Sequence, residues 1–175
     1  MTEKFTKEES LNQYLECEKL LGILFEKSKF CYTECVSKLI SRYPTTQPGN
    51  VGCCHNNFYI STDKGTSFLD KERERIYGHL KRNNEIINEM KKICDYHSEK
   101  GCLTTTHKSP KCVSFICSSY ENYLFKKYGI IYSSNEIKKT LLEILSGKIS
   151  LEEIKTFQDE LINDISLIEK ITTIK

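Results

Sequence analysis

Apolar residues recur along this chain at three- and four-residue steps, the period of one helix face. Leu11, Tyr14, Cys17, Leu21 and Leu24 form the first such stripe and predict a helix from about Lys7 to Ser28. A second helical stretch covers Lys29 to Arg42, with Cys31, Cys35 and Leu39 on one face, and Tyr43-Pro44 stops it. A third runs from about Phe68 to Cys94, with Leu69, Ile76, Leu80, Ile87, Met90 and Cys94 as its buried stripe. A fourth covers Pro110 to Lys127, with Ser109 as cap and Pro110 at the first helical position. Glu136–Leu145 and Leu151–Ile171, joined by Ser146-Gly147-Lys148, predict a C-terminal helical hairpin. Leu151, Ile154, Phe157, Leu161, Ile165 and Ile168 line one side of its second helix.

Hydroxyl residues followed three positions later by an acid mark four helix starts: Thr6/Glu9, Ser67/Asp70, Ser133/Glu136 and Ser150/Glu153. The pair ending in Asp is the looser match. Gly129–Tyr132 is apolar and β-leaning but too short to require a sheet. Residues 44–67, with two prolines, three glycines and many Thr, Asn and Ser, read as one long irregular segment.

The expected fold is mainly α. It is a single-domain helical bundle with N-terminal helices over 1–43, a cysteine-rich metal-binding loop region over 44–128 and the hairpin over 133–175. The length of 175 residues, with 8 glycines and 3 prolines, fits one mostly helical domain. A net charge of +2 without a basic stripe gives no reason to expect nucleic acid or an anionic membrane as partner. The longest apolar run, Leu20–Phe25, is far too short to span a bilayer. The first ten residues hold no secretory apolar segment, so the expected address is cytoplasmic.

Chemistry enters with the cysteines. Eight of nine fall between residues 31 and 117, as Cys31/Cys35, Cys53/Cys54, Cys94/Cys102 and Cys112/Cys117. Cys17 stands alone on an apolar stripe and reads as core. Three readings remain for the rest. A disulfide-stapled interaction module needs an oxidising compartment, leaves one of nine thiols over, and must give each of the adjacent Cys53 and Cys54 its own partner. A zinc-binding structural or interaction protein uses four thiolates tetrahedrally. An iron–sulfur protein uses them at the corners of a four-iron, four-sulfur (4Fe-4S) cluster. The chain has no CxxC knuckle, on which simple zinc modules are built, and no ferredoxin run. Cys112, in the first turn of a helix, gains from exposed amides and the helix dipole. Cys117, five residues on, can share a cluster with it only if that turn is distorted or the cluster is large; otherwise the two serve separate sites.

The segment from Cys53 to Cys117 resembles the YkgJ-type cysteine-cluster family of zinc- or iron-chelating domain proteins. The resemblance rests on Cys53-Cys54, on Cys94 followed by Gly101-Cys102, and on Ser109-Pro110-Lys111-Cys112-Val113-Ser114-Phe115-Ile116-Cys117. Pro110, Cys112 and Phe115 keep the family pattern; Ser109 stands where an arginine is usual, and Cys31/Cys35 lie further from Cys53 than in the compact family cluster. It covers about a third of the chain. It implies a metallocentre, iron–sulfur before zinc, wrapped in helices.

The ligand set expected first is Cys94, Cys102, Cys112 and Cys117, followed by Cys53 and Cys54. Cys31 and Cys35 would complete a second site or remain a redox-active pair. His55, His97 and His107 stand near these cysteines as further ligands or sulfur-directed donors. His79 reads as solvated, Tyr120, Tyr123 and Tyr128 as a core edge, and the alternating run Asp70–Arg75 as a solvated helix face. A cluster would serve electron transfer with a redox partner protein, redox sensing, or a linked enzyme activity. The apolar hairpin stripe also suits a homodimer.

Overall fold

The structure is a computed structural model that describes residues 5–36, 41, 63, 65–81, 94–98 and 101–173. The expected loop ligands Cys53 and Cys54, and His55 beside them, lie outside these residues. So do the side chains of Cys35 and His97, and most of the expected third helix beyond Lys81.

The described residues are mainly helical. Helix α1 spans Lys7–Ser28, opened by the Thr6/Glu9 capping box, in which each side chain satisfies the other's backbone amide. Lys29, with φ 54°, ends it in the left-handed conformation. The chain then re-enters as a π-helical turn over Cys31–Val36, so the second helical stretch is not a continuation of α1. Helix α2 spans Ser67–Tyr77 and tightens into a 3-10 turn at Gly78–Leu80 before Lys81 turns extended. Its start is shifted from the expected box: Thr66 is the cap residue, and Asp70 accepts from Thr66 Oγ1 at 3.0 Å. Leu69 is buried as expected, but Leu80 is exposed. Two short strands, β1 (His97–Ser98) and β2 (Gly101–Cys102), form an antiparallel hairpin with His97 opposite Cys102.

The expected fourth helix is two helices. Helix α3 spans Pro110–Ser114 and helix α4 spans Ser118–Tyr128. Between them Phe115 (ψ 120°) and Cys117 (ψ 158°) are extended. The backbone groups freed by the break find partners from the next segment. Tyr132 donates to the Ser114 carbonyl at 3.0 Å, and the Ile116 amide donates to Ser134 Oγ at 3.3 Å. Gly129, at φ 73°, caps α4 in the conformation only glycine adopts without strain. In the following Gly129–Tyr132 segment Ile130 and Tyr132 are buried and Ile131 is 85% exposed. This is strand-like alternation with no partner strand among the described residues.

Helix α5 (Ser134–Leu145) and helix α6 (Leu151–Thr173) close the fold, with Ser133 and the Ser150/Glu153 box at their starts. Both pack on α1 more extensively than on each other, and α3 packs on α5. Ile154, Leu161 and Ile168 are therefore buried within the chain, although Leu151 remains exposed. Helix α1 is the central element: Tyr14, Cys17, Leu21 and Leu24 are fully buried. No helix among the described residues is long and apolar enough to cross a membrane.

Candidate metal centre

The residues leading into α3 are held by a set of polar contacts. Ser109 Oγ accepts from the Cys112 amide at 3.2 Å, and Pro110 occupies the first helical position. Cys112 thus sits in the first turn of α3, half-buried. At five residues α3 carries little macrodipole. Desolvation pushes the Cys112 thiol up, the Ser109 hydroxyl opposes this, and the Cys102 sulfur adds to it.

Cys102 stands exposed at the end of β2, its Sγ 3.0 Å from the hydroxyl of buried Thr104. The hairpin that carries it is tied down at both ends. The Leu103 amide donates to the Tyr96 carbonyl at 2.8 Å, and the Tyr96 hydroxyl donates to Glu74 on α2 at 3.2 Å. Lys81 ion-pairs with the same Glu74 and lies over the Tyr96 ring.

Between Cys102 and Cys112 the chain is held by side chains from both flanking helices. Tyr77 on α2 bonds the hydroxyls of Thr105 and Thr106 at 2.8 and 2.9 Å. At His107 and Lys108 all four backbone polar groups are taken. Glu18 on α1 accepts from the His107 amide at 2.9 Å and the Lys108 amide at 3.2 Å. Arg73 on α2 donates to the His107 carbonyl at 3.1 Å, and the Tyr14 hydroxyl donates to the Lys108 carbonyl. Lys108 Nζ lies 3.7 Å from the Glu18 carboxylate, and Arg73 pairs with Asp70. His107 is held at φ 60°, a conformation costing a non-glycine residue about 1 kcal/mol or more. Glu18 and Arg73 are both nearly inaccessible, at 5% and 3%. Burial raises the Glu18 carboxyl, opposed by Lys108 and the two amides.

Sequence reasoning misses both Glu18 and Arg73, and Arg73 contradicts the solvated face expected over Asp70–Arg75. Both occupy stripe positions. Glu18 falls four residues after Tyr14 and three before Leu21, and Arg73 falls four after Leu69. A charge at apolar spacing is the signal that could have found them. The exposed Arg75–Glu72 pair does fit the expected solvated face.

Cys102, at the end of β2, and Cys112, in the first turn of α3, stand at the two ends of this held segment. Thiolates are suitable soft donors for zinc or an iron–sulfur cluster, which take four. Among the described residues no third His, Cys, Asp or Glu completes a group with them. Cys94 is half-buried before the hairpin, and Cys117 is half-buried at the start of α4, against the hydrophobic core. Cys31 is exposed and belongs to the Tyr120 side of the fold, where its charge would oppose ionisation of that phenol. Tyr120 meets α1 at Ser28, whereas Cys112 acts on Tyr14. About 20 Å of helix separates Tyr14 from Ser28, so Cys31 and Cys112 lie toward different ends of α1. His107 Nδ1 meets Thr106 Oγ1 at 2.9 Å, and desolvation lowers its imidazole. His79 is exposed, and Tyr120, Tyr123 and Tyr128 form the expected core edge, with Tyr123 donating to the Ser28 carbonyl at 3.3 Å.

The thiols of Cys17, Cys102, Cys112 and Cys117 are free. Cys17 is core, as expected, with its thiol raised to about 11 by burial, against a bond from Gln158 Nε2 at 3.7 Å. Keeping that thiol neutral stabilises the fold fully below its unfolded value of 9.0, and the contribution is lost as pH rises through about 11. In metal-free protein at about pH 8, iodoacetamide should modify Cys102 at least about tenfold faster than Cys17, since Cys102 is exposed whereas Cys17 is buried and its thiol is raised by that burial. Peptide mass spectrometry over a time course measures both rates. Equal rates would show that α1 is not packed as described.

No family model matches this chain, and no curated protein or solved structure matches it.

Proposed function

We propose that this chain is a metal-binding protein that holds an iron–sulfur cluster through cysteine thiolates. One observation carries the reading. Eight cysteines are gathered within residues 31–117, and two of them, Cys102 and Cys112, stand at the ends of a segment braced against α1 and α2. Bracing of this kind suits a centre whose ligands come from separate stretches of chain, because it removes conformational freedom before the metal arrives. Cys102 and Cys112 would supply two thiolates, and the remaining ligands would come from Cys94, Cys117, Cys53 and Cys54. Cys112 and Cys117 are not held to the fixed angle of one continuous helix, because the chain is extended at Phe115 and Cys117. Such a cluster supplies one-electron chemistry, and with it a redox partner protein or a linked activity. Cys31 and Cys35 would serve a second site or remain a redox-active pair.

Purification without oxygen, followed by metal and acid-labile sulfide analysis and an absorption spectrum, tests this. The expected protein is brown, with broad visible absorption and iron matched by sulfide. Colourless protein with stoichiometric zinc would replace the cluster by a zinc staple. Protein with neither metal, whether its thiols are free or paired, would end the reading.

A further inference from the structure

We propose that Glu18 is a positioning residue of this centre. Its carboxylate fills the concavity formed by the His107 and Lys108 amides and so sets where Cys102 and Cys112 stand relative to each other. The inference rests on the metal-binding reading and names which part of the scaffold organises the site.

Three observations carry it. A carboxylate on the buried face of α1 is an unfavourable choice for packing alone, because an apolar side chain of similar size would fill that space without desolvating a charge. The two amides it accepts are consecutive, and His107 stands in the left-handed region. Successive backbone N–H groups in such a turn form an anion-binding nest, and the chain provides its own anion from α1. The clamped peptide also lies between the two cysteines. His107 comes five residues after Cys102, and Lys108 comes four before Cys112, immediately ahead of the Ser109 cap that holds Cys112. Arg73 and Tyr14 hold the opposite, carbonyl side of the same two residues. Movement at His107–Lys108 would therefore be transmitted to both sulfurs.

Glu18→Gln tests the inference, since a glutamine amide nitrogen would face one of the backbone donors. The readout is Co²⁺ titration of anaerobic, metal-free protein, following the sulfur-to-cobalt charge-transfer and d–d absorption, alongside far-UV circular dichroism. The expected result is native helix content, Co²⁺ affinity lowered about 10- to 100-fold, and altered d–d bands at saturation. Ile168→Val, a buried change on α6 away from the loop, should leave affinity and bands unchanged, which separates positioning from general loss of stability. Should Glu18→Gln fail to fold, Tyr14→Phe removes the bond to the Lys108 carbonyl with little change of shape and should weaken Co²⁺ binding in the same direction. Wild-type protein that binds Co²⁺, paired with a folded Glu18→Gln of the same affinity and spectrum, overturns the role of Glu18 alone. If Glu18→Gln does not fold, unchanged binding by Tyr14→Phe does the same. Wild-type protein that binds no Co²⁺ and carries neither iron nor zinc overturns the metal-binding reading, and this inference with it.

Discussion

Cys112→Ser should strip the protein of metal while leaving its helices intact. Loss of an outer partner of a metal ligand typically costs about 10- to 100-fold in affinity, and loss of a thiolate ligand should cost at least that. Serine is close in size and keeps the Ser109 cap of α3, because that bond is made by the Cys112 backbone amide and not by its sulfur. The fold should therefore survive, as read by circular dichroism. What disappears is one of the two sulfurs at the ends of the braced segment. Metal per chain after anaerobic purification is the measurement, with Cys17→Ser as its counterpart. Cys17 is also a cysteine on a helix, but it is packed in the core. Its substitution should lower stability and leave metal per folded chain unchanged. Equal metal content in Cys112→Ser and wild type would remove Cys112 from the ligand set.

Much of the helical frame is legible because its signals are local. The Thr6/Glu9 and Ser150/Glu153 boxes and the stripes behind them place the starts of α1 and α6. The break between α3 and α4 is not legible, because what satisfies it is distant. Ser114 and Ile116 find Tyr132 and Ser134 as partners, each eighteen residues further on. No property of residues 110–127 taken alone announces this, beyond the weak helix preference of Ser118 and Ser119. The hairpin is half legible. Its two helices and the turn at Gly147 form, but the pattern cannot say that each helix turns its apolar side to α1.

The candidate centre divides along the same line. Cysteine type and spacing point to thiolate chemistry, and the sequence already marks Cys102 and Cys112. The clamp between them escapes a reading of Glu18 and Arg73 by charge, because their position is what matters. On a helix, a charged residue at a stripe position is either exposed by a local irregularity or buried with partners. Only the fold supplies the partners, which here are backbone groups about 35 and 90 residues away along the chain.

Leu21→Ala should be the most damaging of the simple core changes to this frame. Leu21 is fully buried on α1, the helix against which α3, α5 and α6 pack. Truncating a fully buried leucine removes its burial and leaves a cavity, together about 3 kcal/mol. For a chain of this length that corresponds to a fall of about 10 °C in Tm. Against a typical total of about 5–15 kcal/mol, it leaves a small margin. Ile131→Ala, at a side chain 85% exposed, should change stability by less than about 0.5 kcal/mol. Urea denaturation of both variants measures the contrast. Because Tyr14 and Glu18 on α1 hold the segment between Cys102 and Cys112, loosening α1 should also weaken metal binding. That coupling has a definite sign: the variant, binding metal more weakly, should be stabilised less than wild type by the same metal concentration, so the stability difference between them should widen when metal is added. A variant as stable as wild type would mean that α1 is not the element on which the others are assembled.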